Sequence, residues 1–275
     1  RDALVADIAP AHLRGAAYGL RQALDTVGAL LGPLAAIAML VWWTQDLRLI
    51  FWVAAIPAVL AVLLLTLGVS EPDRPAAIGP PRWPLSRAAL ASMGVHFWLV
   101  IAVAAGLMVP RFSQAFFLLR AQQLGLHLAI LPAVYALHAV VFAIAAFPAG
   151  HLSDRIGRLN LVIAGFAVLV LAQAVLASLD GLLAVLVAAA LWGLHLGLTQ
   201  GVLAALVADA APEALRGTAF GVFHCATGVA MLISGLGAGL LWEFFGPLAP
   251  FQVGTVLALV ATIALALVAR RPYRA

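Results

Sequence analysis

Eight apolar stretches, each near the ~20 residues that a helix needs to cross a bilayer, account for most of the sequence. They run approximately over residues 15–41, 49–69, 95–119, 128–149, 159–179, 182–207, 217–241 and 251–269. A chain that is 65% hydrophobic and 9% charged cannot hide its apolar surface from water, since soluble domains carry about a quarter charged residues. Inside a bilayer each backbone N–H and C=O must find its partner within the protein, and single apolar runs of this length do so as helices. The expected fold class is therefore an all-α integral membrane protein with about eight transmembrane helices. One long polar break, residues 70–90, carries five prolines between Pro72 and Pro84 and reads as a linker. It divides the chain into residues 1–69 with two spans, the linker, and residues 91–275 with six.

All 15 basic residues are Arg. Threading the spans back and forth puts eleven of them on one side: Arg1, Arg14, Arg74, Arg82, Arg87, Arg155, Arg158, Arg216, Arg270, Arg271 and Arg274. Only Arg48 and Arg120 fall on the other side, while Arg21 and Arg111 lie inside spans. Positive charge collects on the cytoplasmic side, so both termini are expected there, in a multi-pass protein of the cell membrane. The same scatter over short loops argues against nucleic acid as a partner, despite a net charge of +4. A single Cys excludes a disulfide framework and a thiolate metal cluster, and without Lys there is no Walker-type phosphate loop. No metal-ligand cluster or nucleophile triad is visible, so neither a cofactor nor an enzymatic activity is expected. No cleavable leader is visible at the start.

One stretch occurs twice. Ala3-Leu4-Val5-Ala6-Asp7, Pro10, Leu13-Arg14-Gly15 and Gly19 recur as Ala205-Leu206-Val207-Ala208-Asp209, Pro212, Leu215-Arg216-Gly217 and Gly221, offset by 202 residues throughout. In both copies a polar turn closes one span and opens the next, which points to two halves built on one template. The turn itself reads as structural, shaped by Pro and Gly and held cytoplasmic by Arg14 and Arg216.

After the fourth span comes Gly150-His151-Leu152-Ser153-Asp154-Arg155-Ile156-Gly157-Arg158. Gly150 and Gly157 permit close approach and a tight turn, Asp154 can accept hydrogen bonds from a helix N-terminus or an Arg, and Arg155 and Arg158 can reach phosphates or acids. This resembles the G-x-x-x-D-R-x-G-R loop of the major facilitator superfamily. The resemblance implies a conformational-switch role for Gly150, Asp154, Arg155, Gly157 and Arg158; the alternative is an Arg-rich hairpin that does not switch. In the first span, Gly19, Gly28, Gly32 and Pro33 are similar to the G-x8-G-x3-G-P-x2-G-G motif of proton-coupled antiporters in that family, although Ala36-Ile37 replaces its last two glycines. The eight spans then resemble helices five to twelve of a twelve-helix transporter, with the first four helices missing. The resemblance implies a secondary transporter of a small molecule, working by proton-coupled efflux through alternating access, with the bacterial inner membrane as the expected location. The partners implied are the lipid bilayer, a small-molecule substrate and protons. Two alternatives stand beside this: proton symport of a small organic anion, and a truncated membrane protein that does not transport.

Ionisable residues inside spans are the candidates for substrate or proton binding. Arg21 and Asp25 are four apart and share, with Gly28 and Gly32, a stripe about 60° wide. A lone charge at mid-bilayer costs at least about 2.5–3.5 kcal/mol, so this stripe is expected to face protein or water. Asp25 is either a proton site or half of a permanent ion pair. The offset of 202 sets Arg21 against Phe223 and Asp25 against Thr227, so the charges are not duplicated with the turns. Arg111, with Ser113 and Gln114, offers donors to an anionic or carbonyl-bearing substrate, or else anchors a span end. His138, His195 and His224 are either proton relays or hydrogen-bonded packing residues.

Overall fold

The computed structural model describes residues 2–68, 86–127 and 131–269, and the chain is helical almost throughout them. Most of the expected linker and the arginines of the C-terminal tail lie outside those residues. In order the helices are α1 (Asp2–Ile8), α2 (Arg14–Trp42), α3 (Leu47–Gly68), α4 (Arg87–Ala91), α5 (Gly94–Met108), α6 (Ala115–Gln123), α7 (Leu131–Ile156), α8 (Arg158–Ser178), α9 (Leu182–Ala210), α10 (Arg216–Phe245) and α11 (Ala249–Ala269). Among the described residues seven of these, α2, α3 and α7 to α11, are long and apolar enough to cross a membrane. The protein is a multi-pass membrane protein.

The expected span over residues 95–119 is interrupted. The helix stops at Met108, just before Pro110, and resumes at Ala115. Two carbonyls at the break find side-chain donors from distant helices: Ser234 of α10 donates to Val109 O (2.7 Å) and Gln173 of α8 donates to Pro110 O (2.7 Å). Broken helices persist at membrane depth only where such partners exist.

Small residues set the packing. α7 lies between α2 and α9, and α9 in turn packs on α8. A Cβ on Gly193 of α9 would strike the His138 carbonyl, and one on Gly197 would strike Ala145, both on α7. Gly201 meets Tyr18 and Gly19 of α2. The four-residue glycine stripe of α9 thus lets two helices approach it closely, the packing mode used where lipid removes the hydrophobic drive between helices. α9 is apolar on every face and is the most enclosed span, as such a helix must be. Gly28 and Gly32 differ: a Cβ there would meet nothing within 4 Å among the described residues. Phe97, close to the start of α5, is fully buried in the core, whereas Trp42 and Trp43 at the end of α2 are exposed.

The two copies of the repeated turn adopt one conformation. Each places Pro (Pro10, Pro212) before a single 3-10 turn (Ala11–Leu13, Glu213–Leu215) and launches a long helix from the Arg. φ at Leu13 and Leu215 agrees closely, −120° and −118°.

Candidate functional site

Three tiers of polar residues run inward from the end of the molecule where α2 and α10 begin. The first is a set of ion pairs around the repeated turns. Arg14 pairs with Asp209 (3.0 Å), and Arg216 pairs with Asp7 (2.7 Å) and, more weakly, Glu213 (3.4 Å). The arginine of each copy therefore binds the aspartate of the other. Asp154 joins this tier. Its carboxylate accepts the backbone N–H groups of Gly15 (3.0 Å) and Ala16 (2.9 Å), two donors that the start of α2 leaves without intrahelical partners. Arg158 lies 3.0 Å from Asp209 and 3.6 Å from Asp154, binding the end of α9 to the α7–α8 corner.

That corner is tighter than a loop. α7 continues through Ile156, so Gly150, Asp154 and Arg155 belong to its last turns and Gly157 alone makes the bend, with φ of 91°. Only glycine adopts that conformation readily. Gly150 and Gly15 sit backbone to backbone, with no room for a Cβ on either. Arg155 is exposed beside them.

The second tier lies about two helical turns deeper. Arg21 bridges two carboxylates, Asp2 at 2.8 Å and Asp25 at 3.2 Å. His224 Nε2 lies 2.9 Å from the other Asp2 oxygen. The Tyr18 hydroxyl donates to the Asp2 backbone carbonyl at 2.6 Å. A cleft of about 290 Å³ opens here, lined by Asp2, Ala3, Gly217, Phe220, Gly221 and His224.

The third tier is a cavity of about 230 Å³ between α2 and α7, roofed by the residue before α6. Gln22, Asp25 and Thr26 face Gln114, Tyr135 and His138 across it, and Ala29, Ala139 and Phe142 complete the wall. His138 is buried among the rings of Phe117, Tyr135 and Phe142, with its Nδ1 unpartnered among the described residues. Such a cavity offers a carboxylate, amides, hydroxyls and an imidazole over an apolar wall.

Three sequence candidates thus come together on one cavity: Asp25, Gln114 and His138. Arg21 holds Asp25 from outside the wall, and His224 is linked to both through Asp2. Arg111 stands apart at the break after α5. Its guanidinium donates to Gln200 of α9 (3.2 Å) and approaches the Met108 sulfur (3.9 Å), with no carboxylate against it among the described residues. His195 is buried between α8 and α9, its Nδ1 2.8 Å from Gly165 O and its ring edge-on to Phe166, so it packs rather than lines the cavity. Sequence reasoning did not single out Asp2, Asp7, Asp209 or Tyr135. Asp7 and Asp209 carried a signal, because the repeat duplicates them together with the arginines they pair with. Asp2 and Tyr135 carried none beyond their polarity. No cluster of metal-binding side chains occurs among the described residues.

Comparison with known proteins matches the sequence to the Major Facilitator Superfamily over residues 1–140 and again over residues 113–275. An uncharacterized MFS-type transporter of Methanocaldococcus jannaschii is 28% identical over 272 residues, covering 96% of this chain and 66% of that protein. An uncharacterized protein of Mycobacterium tuberculosis is 30% identical over 275 residues, covering 96% of this chain and 64% of its own length. The chain therefore spans slightly less than two thirds of these relatives. Among solved structures, the human organic anion transporter MFSD10 (TETRAN) superposes with a TM-score of 0.76 at 18% identity, over 96% of this chain and 66% of that one.

Proposed function

The chain belongs to the Major Facilitator Superfamily, and from that membership we propose that it serves a secondary transporter that exports a small organic molecule in exchange for protons. The observation that carries this reading is the cavity between α2 and α7, with a carboxylate, Asp25, on its wall and a guanidinium, Arg21, 3.2 Å from it. A carboxylate in such a place can take a proton from one side of the membrane and give it up to the other as the protein changes shape. Gln22, Gln114, Tyr135 and His138 supply the polar contacts for the substrate, and Phe142 the apolar one. Alternating access follows from rocking of the two repeat-related halves about this site. The paired turns at the Arg-rich end, read as the cytoplasmic end, hold the halves together there, and Asp154 clamps α2 to α7. The direction of transport rests on the pattern Gly19, Gly28, Gly32 and Pro33 in α2, which is similar to that of proton-coupled antiporters.

The test is counterflow in proteoliposomes holding the full-length protein, with and without a pH gradient. Export coupled to protons requires substrate to move uphill against an opposing proton flow, and uphill movement to stop when an ionophore collapses the gradient. Uphill movement that ignores the gradient overturns the reading.

A second reading, uptake of a small organic anion together with protons, is favoured by Arg111. A guanidinium held by an amide and a thioether, with no described carboxylate beside it, is suited to an incoming anionic group. The human structure that superposes on this chain is itself an organic anion transporter. In the same proteoliposomes this reading requires substrate to accumulate on the side to which protons flow.

A further inference from the structure

The mechanism just given uses Asp25 and Arg21 of the second tier but not Asp2 or His224, and the whole tier joins two cavities. Asp25 lines the cavity between α2 and α7, while Asp2 and His224 line the cleft between α1 and α10. Arg21 stands between them, with Nη1 2.8 Å from the Asp2 carboxylate and Nη2 donating to Asp25. The contact of His224 with Asp2 closes the series, and it ties α10 to α1, elements that belong to opposite copies of the repeat. The tier nearer the end differs in chemistry: it holds only arginines and carboxylates, whereas this tier ends in histidine, the side chain that changes charge near neutral pH.

We propose that Arg21 is a shared counter-ion that reports the charge of Asp25 to the Asp2–His224 bridge, so that neutralising Asp25 loosens α10 from α1. The proposal rests on Asp25 being the proton site. While Asp25 is ionised, the guanidinium divides its charge between two carboxylates and leaves Asp2 negative enough to hold the His224 imidazole. When Asp25 takes a proton from the cavity, Arg21 turns its charge wholly to Asp2, and the pull of Asp2 on the imidazole falls. Among the described residues few other charges face this bridge. α2 adds only the Tyr18 hydroxyl, bound to the Asp2 backbone carbonyl. α10 adds the rings of Phe220 and Phe223 against His224. Arg14 and Arg216 lie closer to the helix starts, and each already holds an aspartate, as does Arg158 on Asp209 of α9. Loading the cavity and opening the cleft thereby become one event, without a proton having to pass along the series.

Spin labels at Ala3→Cys and Gly221→Cys, in full-length protein carrying Cys225→Ser and reconstituted in lipid, read the separation of α1 from α10 across the cleft. Position 221 is exposed and a Cβ there meets nothing. Asp25→Asn should raise the ratio of wide to narrow separations roughly twofold to fivefold, the effect of weakening one partly exposed ion pair. In an Arg21→Gln background the same change should do nothing, and Arg21→Lys should restore the response. A distribution unmoved by Asp25→Asn, or a shift that persists without the cation at position 21, overturns the proposal. Counterflow on the same variants separates the two levels. If Asp25→Asn uncouples transport from the pH gradient and the separation stays fixed, the shared counter-ion fails and the proton site stands. If neither responds, both fail.

Discussion

Asp154 illustrates how much one side chain can hold in this protein. It accepts two backbone N–H groups of α2 and sits near Arg158, so it fastens a helix start to a helix end with a single carboxylate. Asp154→Ala leaves Gly15 N and Ala16 N without acceptors in a place too tight for ready hydration. Helix N-cap losses cost about 0.5–2 kcal/mol, and this one belongs at the upper end because one charged carboxylate accepts both N–H groups. A denaturant titration of the detergent-solubilised protein should show the midpoint falling for Asp154→Ala. Asp25→Asn should instead leave expression normal and move the midpoint less than Asp154→Ala does, yet abolish proton-driven transport; retained coupling would remove Asp25 from the mechanism. At this scale the sequence was informative where chemistry and spacing were both distinctive. The Gly150–Arg158 pattern led to an Asp that could bind a helix N-terminus, and that contact is present. The tie from Arg21 to Asp2 was not legible, because a seven-residue helix beginning at Asp2 offers no span pattern from which to place it.

Span length and polarity set the positions of the long helices, since each must cross an apolar layer of fixed thickness. The break after α5 was beyond that reasoning. Pro110 and Arg111 raise the issue of an early end, but the apolar run Phe116–Leu119 continues the span in sequence. The deciding groups, Ser234 and Gln173, are 125 and 63 residues away along the chain. Gln173→Leu should leave the Pro110 carbonyl unpaired and buried, a loss of about 1–3 kcal/mol that the same titration would detect. It should also disturb the placement of Arg111, so an effect on transport is expected beyond the loss of stability. The α9 stripe makes a complementary case: Gly193, Gly197 and Gly201 stand four residues apart in the sequence, but only the fold shows that they face both α7 and α2. Gly197→Leu has to displace Ala145 on α7 and should destabilise the protein more than Gly28→Leu, which meets no described atom.

The whole molecule is held at its Arg-rich end by an exchange of partners between repeats. Duplication alone would let each turn pair its own Asp and Arg, seven residues apart, yet Arg14 reaches Asp209 and Arg216 reaches Asp7. Exchange converts two local turns into a clasp between the halves, which the proposed rocking would break and remake. The two pairs are not equal. Arg216 and Asp7 side chains are 7% and 13% exposed, whereas Arg14 and Asp209 are 12% and 39% exposed, and Asp209 also has Arg158. A pair shielded from water loses more when one member is removed, since the survivor stays largely desolvated. Arg216→Ala should therefore cost more than Arg14→Ala, by about 1–3 kcal/mol. Reversal separates clasp from local packing. Asp7→Arg and Arg216→Asp should each weaken the protein singly. Combined they should recover much of the loss, because the pair is re-formed with its sign inverted, although Glu213 then faces an aspartate and recovery stays incomplete. A double variant no better than the worse single one would show that each residue is held by its own surroundings, and that the clasp contributes no coupling between the halves.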